Sequence, residues 1–416
     1  MNLGSLSVII DTMIGRNQYI EKIRGFMNQP ELIKIITGLR RSGKSVMLEL
    51  IQMELRTKGV SQSNILTFNF EDMGLQELKD PKILHDHLKA KIKGIKGQVY
   101  LFLDEIQEVY NWETCINSLR VNSNVDIYIT GSNAKMLVGE YATLLAGRYV
   151  EIRIYPFSFM EFNTAITEKT PDLPVTEIFK LYLKQGGLPF LANMGLTETD
   201  AKQYLRDIYA SVVIKDIMKR NSFRDVDLLD RIIMYVLANT GKTFSATSIA
   251  KYFKNEKRTV GAETILNYLK ACEEVYLFTK ISRFDVPGKK ILSVNEKYYV
   301  ADHGLREAVY GYNERDIELV LENIICLELL RRGYKVTVGR IENREIDFIG
   351  KRDSECIYIQ VCYLLASQET IEREFGVLKA VSDNYPKYVL SMDELNLSRD
   401  GIQHKNIREF ITLDSW

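Results

Sequence analysis

The chain is poor in residues that break, bridge or span. Eight prolines among 416 residues and few clusters of serine and glycine leave little room for disorder, and no low-complexity tract or internal repeat is seen. The five cysteines, Cys115, Cys272, Cys326, Cys356 and Cys362, form no C-x-x-C pair. That spacing argues against a zinc site or a disulfide framework and fits a reducing cytosol. No uninterrupted apolar run approaches bilayer length, and Met1 to Asp11 lacks the basic and apolar regions of a signal peptide. A cytoplasmic protein with no membrane partner is therefore expected. An excess of one charge is also lacking. The 55 basic and 55 acidic residues cancel, so no global basic field advertises nucleic acid, although a local basic face stays open. What is there is ordinary globular composition, 46% hydrophobic and 26% charged. The length predicts roughly two to four domains.

The most specific stretch is Gly38-Leu39-Arg40-Arg41-Ser42-Gly43-Lys44-Ser45. It reads G-x-x-x-x-G-K-S, the phosphate-binding loop pattern. A β-rich run at 32–37 precedes it, and a helix-forming run at 46–55 without glycine or proline follows. Strand, glycine-punctuated loop and helix N-terminus together make an anion site, from backbone N–H groups and the helix dipole. Gly38, Arg40, Arg41, Ser42, Gly43, Lys44 and Ser45 are the expected nucleotide-binding residues. Lys44 would reach the β/γ-phosphates and the Ser45 hydroxyl would ligate Mg²⁺, which makes ATP and Mg²⁺ the expected ligands.

The flanking chain supplies the rest of an α/β P-loop core. Residues 12–28 read as an amphipathic lead-in helix, for packing or for contact with the nucleotide base. A strand at 64–70 ends in Glu71 and Asp72, and a helical stretch at 84–95 follows. The apolar run 99–103 then ends in Asp104-Glu105. A carboxylate at the tip of a buried strand beside the loop can hold Mg²⁺, the role expected of Asp104, while Glu105 would polarise the attacking water. A buried strand at 125–133 ends in the small polar residues Ser132 and Asn133. Asn133, with Ser132 second, is the candidate γ-phosphate sensor; the alternative is an asparagine capping a helix at 134–138. Arg148, before a last strand at 150–155, is the candidate arginine finger, acting in trans if the protein forms a ring; a surface salt bridge is the alternative.

G-L-R-R-S-G-K-S, L-F-L-D-E-I-Q, Y-I-T-G-S-N-A, L-A-G-R and Y-P-F-S-F-M-E-F, in this order, resemble the bacterial and archaeal AAA+-type ATPases that carry a C-terminal domain of unknown function. That family is similar to the STAND and archaeal-ATPase branch of P-loop proteins. The resemblance covers essentially the whole chain. It implies an αβα parallel-sheet ATPase core (1–165), a helical lid (166–228), a winged helix (229–312) and a restriction-endonuclease-like α/β domain (313–416).

The residues beyond 165 give their own reading. Gly186-Gly187-Leu188-Pro189 breaks a helix at 179–193, and 200–220 reads as one long helix. Residues 229–302 read as three helices and a β-hairpin, the winged-helix grammar, with Lys254, Lys257, Arg258, Lys289 and Lys290 available to DNA phosphates. Glu263, Glu273 and Glu274 oppose that contact, so a protein partner is the alternative. Residues 316–416 read α-β-β-β-α-β and resemble the PD-(D/E)xK nuclease superfamily. That pattern places a helix acid, a strand Asp and an E-x-K around Mg²⁺. Glu322 and Asp347 match the first two positions, but Gln360 and Cys362 stand where Glu and Lys belong. A hard metal would lose a main ligand, so an inactive domain is expected, and an ATP-dependent nuclease is the least favoured function.

Overall fold

The computed structural model describes residues 13–134, 145, 147–195, 197–221, 223–288 and 290–416. Met1 to Asp11, the helix expected at 134–138 beyond its first residue, and Lys289 lie outside the described residues. The chain forms two compact units, Met1–Pro156 with Glu274–Tyr276, and Phe157–Glu273 with Leu277–Trp416. Among the described residues no helix is long and apolar enough to cross a membrane.

The first unit is built on five parallel strands, β1 (Ile33–Thr37), β2 (Ile65–Asn69), β3 (Val99–Asp104), β4 (Val125–Gly131) and β5 (Tyr149–Arg153), in the order β2-β3-β4-β1-β5. Every residue of β1, β3 and β4 is buried, as their near-continuous apolar runs require when both sheet faces are covered. Alternate side chains enter separate cores. Ile33, Ile35, Leu101, Leu103, Ile127 and Ile129 pack with Leu84, Leu88, Trp112, Ile116 and Leu119 from helices Pro81–Ile92 and Trp112–Asn122. Ile36, Phe102 and Tyr128 pack with Tyr19, Ile23, Met47, Ile51 and Leu55 from helices Asn17–Arg24 and Lys44–Thr57. The lead-in helix therefore turns its apolar stripe to the sheet. Two fully buried charges, Lys34 and Asp126, interrupt these runs and pair with each other. Asp126 also accepts the Tyr128 hydroxyl at 2.8 Å and the Asn28 backbone N–H at 3.0 Å.

The second unit carries an eight-stranded sheet of β6 (Thr243–Phe244), β7 (Phe278–Asp285), β8 (Lys290–Val300), β9 (Lys335–Ile341), β10 (Arg344–Arg352), β11 (Glu355–Val361), β12 (Lys387–Ser391) and β13 (Gln403–Asn406). Its order is β13-β12-β11-β10-β9-β7-β8-β6. The stretches 229–312 and 313–416, expected as separate domains, thus share one sheet: β7 of the hairpin pairs in parallel with β9 at Arg283–Val338. Three helices precede the hairpin, Val226–Ala238, Ala246–Asn255 and Ala262–Glu274. The long helix expected at 200–220 is interrupted. Glu198–Ser211 is α-helical, and Val212–Met218 widens into π-helical turns, the wider spacing that periodicity does not register. The α-β-β-β-α-β reading also lacked β13 and helix Ile407–Thr412, which close the C-terminus. Helix Ile317–Arg331 is buried on nearly all sides and fixes the hairpin through Asn323, whose side chain bonds both the N–H and the C=O of Val300 at 2.9 and 3.0 Å.

The Lys34–Asp126 pair gives a direct test of the first unit. Asp126→Ala strands an ammonium inside the sheet and should lower unfolding free energy by about 3–5 kcal/mol in urea titrations. Lys34→Met together with Asp126→Ala should recover most of that loss, because neither charge then stays buried alone.

Candidate nucleotide site

The glycine-rich loop leaves the C-terminal end of β1 and enters helix Lys44–Thr57. Gly38 has φ of 144°, and a Cβ there would lie 2.2 Å from the Ile154 carbonyl oxygen, so a larger residue cannot hold this bend. Gly43 has φ of 98° and directly precedes the helix. Arg16 anchors the loop from beneath. The residue is 2% exposed, and its guanidinium donates to the carbonyl oxygens of Ser42 at 3.1 Å and Tyr155 at 2.8 Å. It also lies over the Tyr19 ring at 4.6 Å. The helix N-terminus points its first-turn amides and partial positive charge at the loop mouth.

The charged groups gather at that mouth. Lys44, 4% exposed, donates from Nζ to the Leu39 carbonyl at 3.2 Å and lies 3.7 Å from Glu105 Oε1. Asp104 ends β3 and Glu105 follows in a left-handed conformation, φ of 53°. One side chain organises both acids. The Thr130 hydroxyl, on the neighbouring β4, donates to Asp104 Oδ1 at 2.5 Å and accepts the Glu105 backbone N–H at 2.8 Å. The Ser45 hydroxyl also favours the charged form of Asp104. Burial pushes the Asp104 carboxyl above the usual carboxylate range; the Thr130 and Ser45 hydroxyls and the Lys44 ammonium oppose this, and the Glu105 charge adds to it. The Glu105 carboxylate accepts from the Gln107 amide and, at 3.4 Å, from the Ser132 hydroxyl.

β4 lies between the strands carrying the loop and the acids, so its tip brings buried Ser132 and Asn133 to the same edge. Arg40 turns outward to Glu71 at 3.2 Å, and Arg41 holds φ of 67° on the loop. Arg148 is elsewhere. Its carbonyl accepts the Ile33 N–H at 2.9 Å, which puts it beside the start of β1, while the loop follows that strand's end. Five residues of strand separate the two by about 16 Å, so Arg148 cannot serve its own loop. Thr130 and Arg16 escaped the sequence reading. Thr130 sits inside an apolar strand, and Arg16 acts through backbone carbonyls that no motif displays. The oxygen set of the Ser45 hydroxyl and the Asp104 carboxylate fits Mg²⁺, which takes few protein ligands beside phosphate oxygens.

The AAA domain family profile matches residues 30–163, the span of this sheet and loop. A Haemophilus influenzae protein is 38% identical over 91% of the chain and 93% of its own length, and a Methanocaldococcus jannaschii protein is 30% identical over 88% and 81%; both bear the name uncharacterized protein. The chain belongs to one family with these proteins, and it carries an AAA domain of the P-loop ATPase type. A profile for a domain of unknown function matches residues 176–316. The Walker-type ATPase of Pyrococcus abyssi shares the fold, with TM-score 0.50 and 16% identity over 71% of this chain and 96% of that one.

The other constellation lies in the second unit. Glu322 and Asp347 come together there, Gln360 bonds to the backbone of Asp347, and Cys362 turns into an apolar cluster. Of the expected DNA-facing cations, Arg258 is held by Asp225 and Asp227, whereas Lys254, Lys257 and Lys290 are exposed.

Thr130→Val in the AAA domain removes the hydroxyl that holds both acids. Turnover should fall about 10-fold or more with nucleotide affinity kept, the loss expected when a catalytic group is misplaced. Because the hydroxyl lowers the Asp104 pKa, its loss should also move the acid limb of kcat/KM to higher pH. Pre-steady-state binding and a pH–rate profile check both.

Proposed function

We propose that the protein is a Mg²⁺-dependent ATPase that couples nucleotide state to domain motion, with DNA as the substrate of that motion. The observation that carries the hydrolytic reading is the convergence of Lys44, Asp104 and Glu105, with Thr130 holding both acids, at one edge of the AAA sheet. Lys44 would bind the β/γ-phosphates, and Gly38, Arg40, Arg41, Ser42 and Gly43 would shape the cradle around them. Ser45 and Asp104 would hold Mg²⁺, which supplies charge neutralisation on the phosphate oxygens when bound. Glu105 would accept a proton from the water attacking the γ-phosphorus. Phosphate would draw Lys44 away from Glu105 and free that carboxylate for the water. Asn133, with Ser132, would report the γ-phosphate, and Arg148 would reach the site of a neighbouring copy in a ring.

Exposed Lys254, Lys257 and Lys290 support the DNA reading through contact with backbone phosphates. A second reading, a nucleotide-gated signalling or defence switch with a protein partner, is favoured by the neutralised Arg258 and the zero net charge. Binding of duplex DNA that weakens steeply with salt and changes with ATP supports the first. No binding at low salt, in any nucleotide state, transfers the assignment to the second.

Lys44→Ala should abolish ATP turnover. Glu105→Gln should retain ATP binding and lose about 10²–10⁴-fold in rate. Lys44→Ala and Arg148→Ala proteins, each inactive alone, should regain part of the wild-type rate when mixed, because one copy keeps the loop and the other the arginine. Phosphate-release assays read all three. Unchanged turnover in Lys44→Ala sinks the ATPase assignment, and a silent mixture sinks the role of Arg148 in trans.

A further inference from the structure

Lys297 lies in β8, within Lys297-Tyr298-Tyr299-Val300, and is 3% exposed. Its Nζ is 2.8 Å from Glu322 Oε1, 2.9 Å from Glu345 Oε1 and 3.7 Å from Asp347 Oδ1. Tyr299, on the same face of the strand, donates its hydroxyl to the same Glu322 oxygen at 2.5 Å. Carboxylates from helix Ile317–Arg331 and from β10 therefore converge on one ammonium supplied by the hairpin. Glu322 and Asp347 are the two residues that match the metal-dependent nuclease pattern. The other two positions of that pattern are turned to different work. Gln360 Oε1 accepts the Asp347 backbone N–H at 3.2 Å, and Asp347 Oδ2 accepts the Val361 N–H at 2.9 Å. Cys362 is buried among Phe375, Leu378 and Val389.

Glu322 and Asp347, this close and nearly dry, need a cation or a proton, while Glu345, 34% exposed, adds its charge from the rim. Burial first, then the charge of Glu322, drives the Asp347 carboxyl well above the usual range. Burial opposes a charge on Lys297, but Glu322, Asp347 and Glu345 outweigh it, so the ammonium stays protonated. Among the described residues no group of three or more acidic, histidine or cysteine side chains is arranged to hold a metal ion.

We propose that Lys297 is the resident cation of this centre: it takes the place a divalent metal would occupy between Glu322 and Asp347, and it fastens the β7–β8 hairpin to the C-terminal helix and strands. The centre is then a joint, not a hydrolytic site. It makes the hairpin and the nuclease-like strands one body, which the shared sheet requires. This inference is independent of the ATPase reading, since no part of it uses the nucleotide site.

Thermal unfolding of the full chain without nucleotide, in EDTA and in excess MnCl₂, tests it. The wild-type Tm should be the same in both. Lys297→Met in EDTA should lower Tm by about 10 °C, the consequence of unpaired buried carboxylates. MnCl₂ should restore most of that loss. Lys297→Met combined with Glu322→Gln should recover much of the Tm and lose the response to Mn²⁺. If Lys297→Met does not fold, a folded double variant still supports the joint, and a double variant that also fails overturns it. A wild-type Tm raised by Mn²⁺, Mn²⁺-dependent plasmid cleavage by the wild type, or a Lys297→Met Tm equal to wild type would each overturn it.

Discussion

A charge taken out of water must find a counter-charge or a hydrogen-bonding partner, and both units of this protein are arranged around charges that have done so. In the first unit Lys34 and Asp126 meet inside the parallel sheet, and Arg16 is held by backbone carbonyls under the phosphate loop. In the second, Lys297 meets Glu322, Glu345 and Asp347. Breaking a buried pair leaves a charge without its counter-charge, so the Lys34–Asp126 and Lys297–Glu322 pairs constrain which elements lie together more strictly than the apolar contacts around them.

The candidate site works by the same rule, with one difference. Lys44 and Glu105 stand 3.7 Å apart, a longer contact than the 2.8 Å between Lys297 and Glu322. They lie at the strand ends, where a phosphate can compete for the ammonium. The sheet interior cannot rearrange, but its C-terminal edge can exchange one counter-charge for another. Thr130 makes that exchange orderly. It ties the positions of Asp104 and Glu105 to β4, which in the proposed reaction would keep both acids aimed at the loop while Lys44 changes partner.

The loop, the acids and the buried strands were legible because each is local. A glycine-lysine-serine run, an apolar stretch ending in Asp-Glu and alternate-face burial are written in consecutive residues. Arg148 was legible as a residue, but its distance from its own loop was not, since that depends on which end of β5 pairs beside β1. The substitutions at Gln360 and Cys362 were legible too, and the structure gives them occupations: one supports a backbone N–H, the other fills a core. The interruption at Val212–Met218 and the strand Gln403–Asn406 were not, because π-helical turns and short polar strands leave no clear period in the sequence.

Sequence alone determined the chemistry that consecutive residues can carry: a phosphate loop, a pair of acids at the end of a buried strand, and Gln360 and Cys362 where the resembled nuclease pattern has Glu and Lys. Tertiary structure decided which distant groups share a space. It joined the hairpin to the C-terminal strands in one sheet, set Thr130 against both acids, and brought Lys297 to Glu322, 25 residues away. Burial makes such pairings strong, and burial is a property of the folded chain, not of any segment of it.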